Sequence, residues 1–97
     1  MKAVFITFNQ ALTDRVHEML DTLEVRGFTK WDLTLGRGTT DGEPHYGTHA
    51  WPSMNASILA VVEESKVAEI MAEMKKIDDA TKMQGSKLFT WNIEQMM

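Results

Sequence analysis

The side chains best able to bind a metal ion lie in one segment of the chain, residues 36–52. His45 and His49 carry imidazoles, which bind Zn, Cu and Ni, and Glu43 or Asp41 would add oxygen ligands. A spacing of four residues aligns two histidines only on a helix, and the proline and glycine beside them disfavour a helix here. A Zn or Cu site therefore requires a folded loop or a subunit boundary. The alternative is that these histidines are exposed or hydrogen-bond the loop backbone.

The two ends of the same segment suit other ligands. Gly36-Arg37-Gly38 opens it, and glycines let backbone N–H groups approach a phosphate while Arg37 adds positive charge. The pattern lacks the strand-turn-helix setting of a P-loop, so a flexible loop entry is the alternative. Trp51-Pro52 closes the segment, and Pro52 favours an extended Trp51. That indole either stacks on an adenine or anchors the loop at a subunit interface.

Composition limits the possible functions. The chain has 97 residues, which fits a single domain spanning 1–97. Its net charge is −4 and it has no basic run, so nucleic acid is not an expected partner. It has no cysteine, which excludes disulfides and thiolate chemistry. The first residues lead directly into a strand-like segment, and no apolar run approaches the ~20 residues of a membrane span, so a cytoplasmic protein is the simplest interpretation.

A catalytic function has little support in the sequence. The acidic residues are scattered along predicted helix faces and form no recognisable acid–base pair. Serine, histidine and aspartate lack the context of a nucleophile elbow. The enzyme alternative is a small catalyst that uses His45 or His49 as a general base.

Two helices and four strands must position this segment. Alternating β-branched and aromatic residues predict strands over 2–8, 28–35, 54–62 and 87–93. Asn9 is the expected cap of the first helix and Ser65 that of the second. Helical spacing places two apolar stripes, Leu12, Val16, Met19, Leu20 and Leu23 in the first helix and Val67, Ile70, Met71, Met74 and Ile77 in the second. His17 falls among polar positions and is expected at the surface.

The order βαββαβ predicts an α+β, ferredoxin-like sandwich, with a four-stranded antiparallel sheet and two helices on one of its faces. Residues 36–52 then form the long loop between the second and third strands. Strands one and three carry apolar residues on both faces, for example Val4 and Ile6 against Phe5. Because the helices cover only one face, the other is expected to pack on a second copy of the chain.

This order, with its longest loop between strands two and three, resembles the PII signalling family. Val25-Arg26-Gly27-Phe28-Thr29 is similar to the PII segment that opens the second strand, and Gly85-Ser86-Lys87-Leu88-Phe89 more weakly to its turn into the last strand. The loop containing His49-Ala50-Trp51-Pro52 stands where PII proteins carry the T-loop, and this element resembles that of short, divergent PII-like proteins. CutA shares the element order, but its cysteine-containing segment is absent.

The resemblance implies a homotrimeric sensor that binds a small ligand and contacts a partner through the T-loop. An adenine nucleotide at the subunit boundary would use Thr29, Arg37, Gly38 and Lys87. The PII proteins that bind ATP or ADP between subunits have a longer glycine-rich turn, a basic segment after it and a T-loop tyrosine motif. Here the turn is short, and the basic segment and the tyrosine motif are absent. Some short relatives are associated with heavy-metal efflux, so the resemblance also implies a metal ligand and a membrane transporter or efflux partner.

Overall fold

The computed structural model describes residues 1–38, 40–51, 53–81 and 84–97. Its strands are β1 (Lys2–Asn9), β2 (Phe28–Thr34), β3 (Asn55–Val62) and β4 (Lys87–Asn92), and its helices are α1 (Thr13–Thr22) and α2 (Glu64–Ala80). A 3-10 turn, Gln10–Leu12, leads into α1. The predicted strand bounds each agree with these to within one residue. Within the described ranges, no helix is both long and apolar enough to cross a membrane.

The sheet has the order β2-β3-β1-β4, and every neighbouring pair is antiparallel. This confirms the predicted ferredoxin-like fold, because both helices follow strands and return to the same face. The core lies between that face and the helices and contains most of both predicted stripes; Leu23 and Val67 pack against it partly buried, and Met71 is not part of it. Its buried members are Val4, Ile6, Phe8, Leu12, Val16, Met19, Leu20, Val25, Ala56, Ile58, Ala60, Val62, Ile70, Met74 and Ile77.

The helix ends are only partly as predicted. Asn9 accepts a hydrogen bond from the Ala11 N–H at 2.8 Å, so it caps the 3-10 turn that begins the first helix. The predicted cap at Ser65 is wrong, because α2 already begins at Glu64 and Glu63 occupies the cap position without a side-chain hydrogen bond. Ser65 and its neighbour Glu64 are both exposed, so no buried contact of either side chain determines the residue at which α2 begins.

His17 does not lie free on the surface as expected. Its ring centroid is 5.7 Å from that of Phe28, and Nε2 is buried. The position is polar in the helical pattern of α1, but the first residue of β2 packs over it. The prediction for His17 was wrong because its side chain contacts β2, and helical periodicity within α1 does not reveal contacts with another element.

A β-bulge near the end of β2 changes the face of the sheet on which the last residue of that strand lies. Trp31 pairs with Ser57 of β3, whereas Thr34 pairs with Asn55. Between these two pairs β2 advances by three residues and β3 by only two, so β2 contains one extra residue. The extra residue turns Thr34 to the face of the sheet that the helices leave open, where strict alternation would place it on the opposite face. The Thr34 and Ser57 hydroxyls form a hydrogen bond of 2.9 Å there.

The open face carries large apolar side chains. Phe5 and Trp31 contact edge to face, with ring centroids 6.2 Å apart. On the neighbouring strand, 55% of Phe89 and 49% of Trp91 remain exposed. Phe5 is the β1 residue that the sequence placed on the second face, and Trp31, Phe89 and Trp91 extend the apolar surface to β2 and β4.

Candidate anion-binding cleft

The loop between β2 and β3 begins with the segment from Gly36 to His45, which is closed by hydrogen bonds between its two end residues. These two residues form an isolated antiparallel bridge, in which the Gly36 N–H donates to the His45 carbonyl at 2.9 Å and the His45 N–H donates to the Gly36 carbonyl at 2.7 Å. The bridge continues the direction of β2 beyond its last residue. Consequently, the start of the loop is held beside the sheet.

A second, smaller closed segment follows. The Gly47 N–H donates to the Ser53 carbonyl at 3.0 Å, and the Thr48 N–H donates to the Trp51 carbonyl at 2.9 Å. Gly47 has φ 65°, a left-handed conformation that glycine adopts at low cost. Trp51 is 42% exposed at the tip. The loop is therefore two small loops joined at His45, and Pro52 of the predicted Trp-Pro anchor lies outside the described residues.

A cleft of about 490 Å³ lies between the loop entry and the edge strand β4. Among the described residues of its lining, Arg37 and Lys87 are charged, and both are cationic. Phe5, Leu35 and Phe89 supply apolar surface. The described residues that line it are Phe5, Thr7, Thr34, Leu35, Gly36, Arg37, Gly38, Asn55, Ser57, Lys87 and Phe89. Two cations beside an apolar wall suit an anion attached to a flat apolar group.

One wall of the cleft is a contact between two glycines. A Cβ added to Gly38 would lie 2.2 Å from the Gly85 carbonyl oxygen and 2.8 Å from its Cα. Gly85 has φ +69°, so it too favours glycine. The loop entry and the turn before β4 therefore meet backbone to backbone, in a geometry that excludes any side chain at Gly38.

A second cavity lies on the other side of this contact. It also measures about 490 Å³ and shares Gly38 and Lys87 with the first. Four carboxylates line it, Asp41, Glu43, Asp78 and Asp79. Since these repel anions, the two cavities differ sharply in electrostatic character, and only the first suits a phosphate.

Buried polar side chains gather beneath the first cleft. Within the described residues, these are His45, Asn55 and Ser57, which are 4%, 8% and 1% exposed. His45 Nδ1 and Asn55 Oδ1 are 2.6 Å apart. Sequence reasoning identified His45 but missed the other two, which stood inside an apolar strand. The available signal was an Asn and a Ser two residues apart, and therefore on one face of that strand.

The structure brings together three of the four residues predicted for a nucleotide. Arg37, Gly38 and Lys87 line the same cleft. Thr29 pairs with Leu59 within the sheet and does not line that cleft in a single chain. The Arg37 guanidinium is 3.4 Å from the Thr40 carbonyl, so its side chain is held only weakly.

The residues predicted to bind a metal ion are more scattered. His45 is buried against Asn55, His49 is exposed on the second small loop, and Glu43 lines the acidic cavity. In the part of the chain that the structure describes, no three His, Asp or Glu side chains converge on a possible metal position. The metal site therefore stays a prediction.

Comparison with known families identifies the chain. The family described as "Nitrogen regulatory protein P-II" matches residues 1–97. The chain belongs to the PII family. This confirms the resemblance to the PII family seen in the sequence. Comparison with curated protein sequences finds no match.

Solved structures with this fold include two PII-like proteins. CPII from Thiomonas intermedia K12, bound to ADP, AMP and bicarbonate, has a TM-score of 0.77 and 20% sequence identity, covering 95% of this chain and 84% of that chain. A putative PII-like signaling protein from Thermus thermophilus has a TM-score of 0.68 and 21% identity, covering 95% of this chain and 85% of that chain. At these identities the likeness establishes the fold of this PII protein.

Proposed function

We propose that this PII-family protein is a non-enzymatic regulator that binds an adenine nucleotide in the cationic cleft and signals through loop 36–52. The observation that carries the proposal is the convergence of Arg37, Gly38 and Lys87 on one cleft with an apolar wall. Phosphate oxygens suit the two cations and the glycine backbone, and the apolar wall suits the adenine.

The solved relative supports the choice of ligand. CPII was solved with ADP, AMP and bicarbonate, and with ADP and bicarbonate. All three are oxyanions, which fits a cleft whose described lining carries cations and no carboxylate. The short glycine turn before β4 is consistent with a nucleotide that carries fewer phosphates than ATP, because fewer backbone N–H groups are available there.

The proposal includes a homotrimer of a single domain, residues 1–97. The exposed aromatic side chains of the open sheet face need a cover, and association buries them. In this arrangement Thr29 would approach the nucleotide of a neighbouring subunit. Loop 36–52 would act as the T-loop, since its entry forms one side of the cleft and a ligand there would change its contacts.

Two parts of the proposal concern partners. A transporter or efflux protein is the proposed target, on the resemblance to short PII-like proteins, and the exposed Trp51 is the residue best placed to contact it. A Zn or Cu ion at His45, His49 and Glu43 would require those side chains to move together, because one is now buried and another lines a different cavity. A general base at His45 has less support, since Nδ1 is bonded to Asn55.

Isothermal titration of the wild-type protein with ADP, AMP, ATP and bicarbonate tests the function. Saturable binding of ADP or AMP is expected, with ATP weaker than either. Absence of binding by all of them would overturn the proposed function. A parallel titration with Zn²⁺ and Cu²⁺ uses the wild type and the His45→Ala/His49→Ala double variant. Metal binding that survives this double substitution would overturn the histidine site.

A further inference from the structure

The buried polar side chains beneath the cleft need an explanation. Burying a polar group is unfavourable unless it is hydrogen-bonded, and an apolar pair of similar size would fill the same space. Ser57 is satisfied by the bulge residue Thr34, at 2.9 Å. His45 is satisfied by Asn55, at 2.6 Å. Asn55 also lines the cleft, so this second pair joins the loop to the ligand space.

The bond to His45 fixes the orientation of the Asn55 amide. Its Oδ1 can only accept, so His45 Nδ1 carries the proton and donates. The Nδ2 amino group is then turned the other way, toward Gly36, where an added Cβ would lie 3.8 Å from it. Gly36 and Asn55 both line the cationic cleft. The amide therefore presents donors, not an acceptor, to whatever occupies that space.

We infer that Asn55 donates a hydrogen bond from Nδ2 to an oxygen atom of the bound anion, and that His45 is the positioning residue that holds the amide in this orientation. The inference rests on the proposed function, and it adds a neutral donor to the two cations. The ligand chemistry is an oxyanion. A nucleotide phosphate and a bicarbonate both provide it.

The same arrangement couples the cleft to the fold of the loop. His45 is held in place by its two backbone hydrogen bonds to Gly36, at 2.9 and 2.7 Å. If the loop opens, His45 leaves Asn55 and the amide is free to turn. A ligand that accepts a hydrogen bond from Asn55 therefore stabilises the closed segment between Gly36 and His45. The stabilisation equals the difference between its binding free energies for the oriented and the freely turning amide.

The test is a titration of Asn55→Asp with ADP, AMP, bicarbonate and adenosine. The introduced carboxylate can still accept from His45, but it presents an acceptor and a negative charge to the anion. The loss of a charged hydrogen bond predicts an affinity on the order of tenfold weaker or more. The matched control is Asn92→Asp, which makes the same change at the far, exposed end of β4 and should bind like the wild type.

The four ligands separate the two sources of the oxyanion. Weaker binding of ADP and AMP, with adenosine unaffected, identifies a phosphate oxygen as the acceptor. Weaker binding of bicarbonate alone identifies the smaller anion. Either result supports the inference. Oxyanion affinities that are equal in the wild type and Asn55→Asp overturn the inference alone, whereas a wild type that binds none of the four overturns the proposed function as well.

The positioning role of His45 can be tested by NMR and by oxyanion binding. Neither the Asn55 amide signals nor the oxyanion affinity would depend on His45 if its role were purely structural. Heteronuclear NMR of wild-type side-chain nitrogens should find His45 protonated at Nδ1, and the Asn55 amide signals should shift on ligand saturation. His45→Phe keeps a buried ring without the donor and should weaken oxyanion binding, while His45→Gln keeps an N–H donor and should recover part of it. An unprotonated Nδ1, or oxyanion binding by His45→Phe that equals the wild type, overturns the positioning role.

Discussion

Substituting Gly38 by alanine is expected to separate the loop entry from the turn before β4. The added Cβ would lie 2.2 Å from the Gly85 carbonyl oxygen and 2.8 Å from Gly85 Cα. Nonbonded heavy atoms prefer about 3.5 Å, so the two segments must part by roughly 1 Å. Both opposing atoms belong to the backbone, so no side chain can rotate away to make room.

The cost follows from this geometry. Overpacking that forces backbone shifts costs about 1–3 kcal/mol in the free energy of unfolding. For a domain of this size, that corresponds to a decrease in Tm of roughly 4–24 °C. Nucleotide affinity should fall too, because Gly38 forms a wall of the cleft and its displacement changes the position of the neighbouring Arg37.

The chain offers two matched controls for this substitution. A Cβ on Gly36 would have its nearest neighbour, Asn55 Nδ2, at 3.8 Å, and a Cβ on Gly27 would meet nothing within 4 Å. Gly27→Ala is expected to be neutral or to stabilise by about 0.4–1 kcal/mol, through the unfolded state. The assay is thermal and urea unfolding of the three variants at one protein concentration. A Gly38→Ala protein that unfolds like Gly36→Ala would refute the argument.

Three further predictions concern the open face, the helices and the core. Trp91→Lys places a charge on the open apolar face, at a side chain that is 49% exposed and is not among the cleft residues. It should dissociate the proposed trimer in light scattering, and an unchanged trimeric mass would contradict that use of the face. Lys66→Met removes the 2.7 Å hydrogen bond to the Leu23 carbonyl and should lower the free energy of urea unfolding by about 1 kcal/mol, with no change disproving the bond's contribution. Ile58→Ala, at a position with no exposure, should cost about 2–5 kcal/mol by the same assay, and a loss below about 1 kcal/mol would show that the site repacks.

Much of the fold was predictable because local periodicity carries it. The alternation in β1 and the helical stripe of α1 each reflect the face of the element that packs on the core. Such a pattern can be recognised from residues close together in the sequence. The start of α2 was less predictable, because Glu63, Glu64 and Ser65 are three consecutive polar residues and no side-chain cap hydrogen bond selects one of them. The bulge at Thr34 depends on how β2 pairs with β3, which alternation within β2 cannot express.

The site was predictable only in part. The glycine pattern at Gly36-Arg37-Gly38 indicated an anion, and the family resemblance added Lys87, which is distant in sequence but lines the same cleft in the structure. The pairing of His45 with Asn55 was not predictable, because it depends on a bridge that folds the loop back on itself. The same histidine that suggested a metal ligand is used, in the folded chain, as a hydrogen-bond donor to a strand.

The most direct test of the proposed function is ADP binding by the Arg37→Ala/Lys87→Ala double variant, measured by isothermal titration beside the wild type. Arg15→Ala/Lys76→Ala is the control, since it removes the same charges from the exposed helix surface. Because each charged hydrogen bond contributes about 1.5–3 kcal/mol, the double variant should bind ADP at least on the order of 100-fold more weakly, and the control should match the wild type. ADP affinities that are equal in the wild type and the Arg37→Ala/Lys87→Ala variant would contradict the assignment of this cleft.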